Sequence, residues 1–453
     1  MGNGSSDKVL FQLVKMQRKK ARKLAGDLGV KMAKGLLLGA GFSFDLGMPL
    51  ASEFSDTLFS YFGLQKMTDL INNMRDHLPY GNNSPLCATT LDKIIEIVEC
   101  FYRSDNRNYE KLFADIEQLR GNAALEQTVH YFLSVLRSII NELFLIYQVE
   151  TYPLYLLNKE KYQWILDEFT DDELWVLTLN HDVLVEMLCI DYGIPLREGY
   201  SEIIEIPASN RELGKKIAFG SISATEKRID RLHYFHSSKG INVLKIHGGL
   251  NEFFQGDDKT GRKRMLFSMG DIHSSGEYLS RIEQFIHTPH YYIQEKAIRV
   301  GSEICFSDVD GEMQFMQPSI LTGSKKYHQT LSAYPREEKM ELFSSALERI
   351  DELFIIGYSF GDKHINNRIV HAMHLNNQMR VCIVNPVYKQ EAIFDPFDYG
   401  LRVRYCSAPF PVWADHEQTG KWDSDFRKHM EKMTSELRNP FLSTIKSRIL
   451  REL

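Results

Sequence analysis

Small polar residues and glycines at the ends of apolar runs carry the chemistry legible in this sequence. In Gly35-Leu-Leu-Leu-Gly39-Ala40-Gly41-Phe-Ser43-Phe-Asp45-Leu-Gly47-Met-Pro49, the run 36–38 breaks into a glycine cluster, with a helix expected over 50–59. Strand, tight turn and helix in that order can cradle a pyrophosphate on backbone N–H groups. Gly39 and Gly41 let the backbone come close because no Cβ intervenes. Gly47 falls too late for the Gly-x-Gly-x-x-Gly spacing of dinucleotide sites. Asn180 and Asp182 follow the run 174–179 and suit either a helix cap before Val183 or contact with a ligand. His247 opens His247-Gly248-Gly249 directly after the run 243–246, which favours a loop role for an imidazole that titrates near neutral pH. Gly357-Tyr-Ser359-Phe-Gly361 also fits the nucleophile elbow of serine hydrolases, with Asp395, Asp398 and His416 downstream as partners. His371 and His374 share a helical spacing without a carboxylate or cysteine partner, so no metal is expected there.

Elements must hold these residues. Strand-like runs at 36–38, 174–179, 243–246, 319–321, 353–356 and 380–384 alternate with helical patterns. Alternation of this kind predicts an α/β fold, a Rossmann-like doubly wound parallel sheet with helices on both faces. Helical spacing over 91–101, 109–119, 125–147 and 154–169 is too much for one crossover and reads as an inserted helical module. The expected organisation is a basic N-terminal helical extension (1–34), a sheet domain (35–70 and 170–410), the helical module (71–169) and a C-terminal helical tail (411–453), broken at Pro440. Residues 251–317 form a second long excursion.

Charge is unevenly spread. The chain carries a net −6, yet residues 1–34 hold nine Lys or Arg against Asp7 and Asp27. A basic helix with an apolar stripe suits an oligomer contact or an acidic partner, with nucleic acid as the alternative. The six cysteines, Cys87, Cys100, Cys189, Cys305, Cys382 and Cys406, contain no Cys-x-x-Cys pair, which argues against structural zinc and for a reducing compartment. No apolar run is seen to approach the roughly 18 residues a membrane span needs. A cytoplasmic location is expected.

Four motifs come in the order of the sirtuin family. Gly39-Ala40-Gly41-x-Ser43 with Gly47-x-Pro49, Thr178-x-Asn180-x-Asp182, His247-Gly248-Gly249 and Gly357-x-Ser359 resemble its strand-end segments. Asp362-x-His364-Ile365-Asn366 is similar to the continuation found in bacterial sirtuin-like defence proteins, and the run ending at Asn385 resembles the strand that reaches the adenosine. The resemblance spans roughly residues 34–410 and implies NAD as substrate. It implies that Asn180 positions a water or the ribose hydroxyls and that His247 bonds the ribose and serves as general base. Gly39, Ala40, Gly41 and Ser43 would hold the diphosphate, Asp182 the loop or a ribose hydroxyl, Gly357 and Ser359 a phosphate or ribose, and Asn385 the adenosine.

Departures refine the resemblance. The zinc cysteines of the deacylases are missing, and Leu50-Ala51-Ser52-Glu53-Phe54 stands where deacylases carry Asp-Phe-Arg. The NAD pocket is therefore expected without the acyl-lysine tunnel, as in NAD-hydrolysing effectors of anti-phage defence. The alternatives are a silent NAD or ADP-ribose scaffold, a zinc-free deacylase, and a serine hydrolase. By analogy with the family, control would come from assembly: a homo-oligomer, a HerA-like ATPase, or another phage-sensing partner.

Overall fold

Apolar runs closed by glycine or a small polar residue become the strands of a parallel sheet. The computed structural model describes residues 33–76, 87–104, 108–119, 123–163, 173–207, 216–223, 225–255, 263–268, 270–287, 292–293, 296–297, 304–307, 313–320, 337–387, 391–398 and 402–452. The basic extension expected over 1–34 lies outside these residues apart from Ala33 and Lys34.

From β1 (Lys34–Leu38) the chain enters α1 (Ala40–Ser43) and a 3₁₀ turn (Phe44–Leu46), so helical structure starts well before residue 50. The helices α2 (Ala51–Tyr61), α3 (Leu64–Asp76), α4 (Ala88–Arg103), α5 (Tyr109–Glu117), α6 (Ala123–Glu150) and α7 (Tyr152–Asn158) precede β2 (Glu173–Thr178) and α8 (Leu184–Asp191). Next come β3 (Leu196–Arg197), β4 (Glu202–Pro207), β5 (Lys216–Ser223), β6 (Gly240–Lys245), β7 (Glu252–Gln255) and β8 (Lys263–Phe267). The helix α9 (Ser275–His287) leads to β9 (Tyr292–Ile293), β10 (Lys296–Ala297), β11 (Ile304–Ser307) and β12 (Met313–Pro318). The last stretch alternates α10 (Glu337–Leu347), β13 (Glu352–Ile356), α11 (Lys363–Leu375), β14 (Arg380–Asn385), α12 (Asp395–Asp398) and β15 (Val403–Ser407). Two further helices follow, α13 (Phe410–Thr419) and α14 (Ser424–Glu452).

Seven strands pair in parallel in the order β15-β14-β13-β1-β2-β6-β3, the expected Rossmann-like α/β sheet. Alternate residues of β1 enter two separate cores, Leu36 and Leu38 in one and Leu37 in the other. Burial on both faces is why such strands read as continuous apolar runs. The chain leaves β1 toward β2 on one side and reaches β13 on the other. The switch point therefore lies between β1 and β13, where a crevice opens beyond the strand ends.

Two expectations are corrected. Of the run 319–321, Ser319 and Ile320 are coil just after β12 and add no strand to the parallel sheet, while Leu321 lies outside the described residues. Instead β12 belongs to a second sheet of six antiparallel strands, β11-β12-β7-β8-β5-β4, built largely from the excursion. Its strands carry charges inward, Glu252 and Arg264 both being buried, which hides the usual alternation. The second correction concerns α14, which continues through Pro440. Tertiary ties hold both halves: Arg438 donates to Phe44 O (2.7 Å), Met48 O (3.1 Å) and Glu53 Oε2 (2.6 Å). Arg448 donates to Glu150 Oε1 (3.2 Å) and Glu283 Oε1 (2.5 Å). A helix whose stability comes from packing can carry a proline that an isolated one could not. Within α6, Thr128–Glu150 is long and apolar enough to cross a membrane, and 61% of its apolar window is buried inside the molecule.

Candidate active site

Two glycine turns interlock at the switch point. Gly39 N–H donates to Ile356 O (2.9 Å), Gly41 N–H to Gly357 O (3.0 Å), and Gly357 N–H to Val384 O (2.9 Å). Gly357 has φ +65°, and a Cβ there would sit 2.3 Å from Phe42 N and 2.5 Å from Gly41 C. A Cβ on Gly41 would meet Gly357 Cα at 2.8 Å. The missing side chains thus serve the approach of one turn to the other. The N–H groups of Gly39 and Gly41, expected to face a diphosphate, are here bonded to the carbonyls of Ile356 and Gly357. Ser43 is likewise turned inward, its hydroxyl donating to Asp182 Oδ2 (2.7 Å).

Asn180, at the end of β2, latches this corner. Its Nδ2 donates to Gly39 O and to Ser43 Oγ, both at 2.9 Å. A carbonyl partner requires the amide nitrogen, so the side chain's orientation is fixed. Its Oδ1 makes no hydrogen bond among the described residues, and the residue lines the cavity described below. Asp182 accepts from Leu184 N–H (3.1 Å) through Oδ1, although the helix starts at Leu184 and its N-cap position is Val183. Burial raises its carboxyl above the usual range against the opposing pull of Lys245 and Ser43. His181 packs its ring on Phe144 (5.1 Å between centroids) with Nδ1 3.3 Å from Gly248 O.

His247 stands just beyond β6 and is buried, with Nε2 3.2 Å from Asp362 Oδ2. The turn after it is forced by space, since Gly248 has φ +75° and a Cβ would meet Ser319 O at 2.4 Å. Beyond β13, Ser359 is exposed. Asn385 ends β14 and donates from Nδ2 to Tyr358 O (2.8 Å).

All ten residues singled out from the sequence (Gly39, Ala40, Gly41, Ser43, Asn180, Asp182, His247, Gly357, Ser359 and Asn385) line one cavity of about 1180 Å³. Sequence reasoning missed three of its features. Asp362 was visible only as part of a motif with no role. Asp45 lines the cavity with its carboxyl raised by burial, while Thr434 donates to its Oδ1 (2.8 Å). The third is α14, whose Met430, Thr434, Arg438 and Leu442 form a wall. Among the described residues, no cluster of His, Cys, Asp or Glu could hold a metal ion.

Below the His247 turn lies a buried ionic network. Lys245 Nζ pairs with Glu186 (3.0 Å) and donates to Asp182 O. Lys339 Nζ donates to Lys245 O (2.7 Å) and Glu252 Oε1 (2.5 Å), and Asn251 Nδ2 donates to Glu198 Oε1 (2.8 Å). Backbone and side chain of Lys245 are both held, and with them the two loops bearing Asn180 and His247. Burial, then Glu186, pushes the Glu198 carboxyl up to about 8 from an ordinary 4.5. The folded state thus holds a proton there that the unfolded chain releases, so this group makes stability fall as pH rises from about 4.5 to about 8. Glu198→Gln keeps an acceptor for Asn251 and removes the ionisation. Melting curves at both ends of that window should show the variant more stable than the parent at the alkaline end and equal to it at the acid end. Parallel behaviour of the two proteins across the window would contradict the assignment.

Comparison with known proteins adds little at the level of sequence. No family model matches the chain, and no curated protein matches it. Twenty-three chains of solved structures do match. One is described as "Sir2-p53 peptide-NAD+": it is 13% identical, covers 86% of this chain and 93% of its own, and has a TM-score of 0.28.

Proposed function

We propose that this chain is a sirtuin-like NAD+ hydrolase that cleaves the nicotinamide–ribose bond. The observation that supports this is the convergence of Asn180, Asp182, His247, Ser359 and Asn385 on one cavity at the sheet's switch point. In the proposed reaction the C1′–N bond breaks and its electron pair goes to the nicotinamide nitrogen, leaving an oxocarbenium-like ribose. Nicotinamide departs neutral, so no general acid is required. Water adds to C1′ and passes its proton to His247, while Asn180 orients the water or the ribose hydroxyls through Oδ1. The product is ADP-ribose, or a cyclic form of it when a nucleophile of the substrate itself, adenine N1 or a ribose hydroxyl, takes the place of water. Zinc has no part in this scheme.

Purified protein incubated with NAD+ should release nicotinamide and an ADP-ribose product in equal amounts. Binding of NAD+ without release would favour the silent scaffold. The serine-hydrolase reading fares worse, because its candidate base His416 lies in α13, buried and stacked on Trp422 (3.9 Å), outside the cavity lining. The strained residue of its elbow is also Phe360 (φ +59°), not Ser359. Ser359→Ala should weaken NAD+ binding about fivefold, the loss of one hydrogen bond of about 1 kcal/mol, and leave hydrolysis measurable. Abolished turnover with unchanged affinity would instead mark Ser359 as a nucleophile. The same proposal includes a role as an NAD-depleting anti-phage effector. Its control would lie in self-association, a HerA-like ATPase or another phage-sensing partner.

A further inference from the structure

We infer that Asp362 is the positioning residue for His247: its carboxylate takes the Nε2 proton and keeps the ring's lone pair on Nδ1. The inference rests on the reading of His247 as the base that receives the water's proton. The two side chains meet at 3.2 Å with only 4% and 6% of their surfaces exposed. A carboxylate can only accept, so the neutral imidazole beside it carries its hydrogen on Nε2.

Asp362 is itself fixed on several sides. Its two oxygens divide the work: Oδ2 faces His247, and Oδ1 caps α11 by accepting from His364 N–H (2.9 Å) and Ile365 N–H (3.4 Å). Its own N–H donates to Tyr358 Oη (3.0 Å), which lies 3.0 Å from Asn366 Oδ1. Asn366 Nδ2 closes the loop on Phe360 O (2.9 Å). The motif from Asp362 to Asn366 therefore reads as a mount for one carboxylate, in which His364 contributes backbone alone. Burial favours the neutral acid, yet the hydrogen bond from His247 and the two cap donors hold the group below the ordinary aspartate range. It stays ionised, and an anion beside the ring also stabilises the imidazolium that forms when the water's proton arrives.

The test uses Asp362→Asn in the full chain. Asparagine caps helices as well as aspartate does, so α11 is retained. With its carbonyl oxygen on the cap, the new amide offers N–H to His247 Nε2 and drives the hydrogen to Nδ1. Nitrogen NMR of labelled histidine, assigned with a His247→Gln control, should show Nε2–H in the parent and Nδ1–H in the variant. For hydrolysis, kcat should fall by about a hundredfold or more while KM for NAD+ stays within about threefold. Asp362→Ser, which keeps a cap and lacks the carboxylate, should lose kcat alike. An unchanged tautomer with kcat near the parent's overturns the assignment, and so does a rise in KM at constant kcat. A parent protein that releases no nicotinamide sinks the hydrolase reading instead, while the nitrogen signals still decide whether Asp362 sets the tautomer.

Discussion

His247→Ala and Asn180→Ala each yield a folded protein whose nicotinamide release falls by about two to four orders of magnitude, the range for a general base or an aligned dipole. The two losses differ in origin. Without the imidazole, no group takes the proton of the attacking water, and Asp362 keeps its helix-cap bonds. Without the amide, the ribose or water loses its orienting oxygen, and Gly39 O and Ser43 Oγ lose a donor. The second variant should therefore also melt earlier, by the equivalent of about 1–3 kcal/mol. Rates at saturating NAD+ alongside melting curves separate chemistry from stability. Full turnover in both variants would remove these residues from the mechanism.

Gly357→Ala should destabilise the fold by about 3 kcal/mol or more. A side chain at φ +65° is strained, and its Cβ would collide with the backbone of Phe42 and Gly41, which cannot swing aside as a side chain could. Gly361→Ala is the matched control, since a Cβ there meets nothing closer than Ser359 Oγ at 3.9 Å. Denaturant midpoints of the two variants give the comparison. Equal midpoints would mean that the turns are not interlocked as described.

Strand-end residues were legible because β1, β2, β6, β13 and β14 are buried on both faces. Each reads as an apolar run that ends where solvent and chemistry begin. What stayed hidden depends on partners far apart in the chain. His247 and Asp362 are separated by 115 positions, and the cap that aims Asp362 is invisible until α11 is placed. The antiparallel sheet escaped because Arg264 and Glu252 point inward toward partners on other elements. Glycines were recognised at the right positions for an incomplete reason: sequence shows that a Cβ is missing, not which neighbour needs the space. Pro440 misled in the same way, since the ties of Arg438 and Arg448 outweigh a local breaker.

The wall contributed by α14 has a consequence for biosynthesis. Every strand of both sheets precedes α14 in the chain, so the sheet and its glycine turns can form while the ribosome is still at work. The cavity gains its last side only when Arg438 reaches Phe44 O, Met48 O and Glu53, contacts that close a loop of 385 residues at the guanidinium–carboxylate pair. A nascent chain thus carries Asn180, His247 and Asp362 before it carries a finished pocket, and the site is complete only once α14 has been made and has docked.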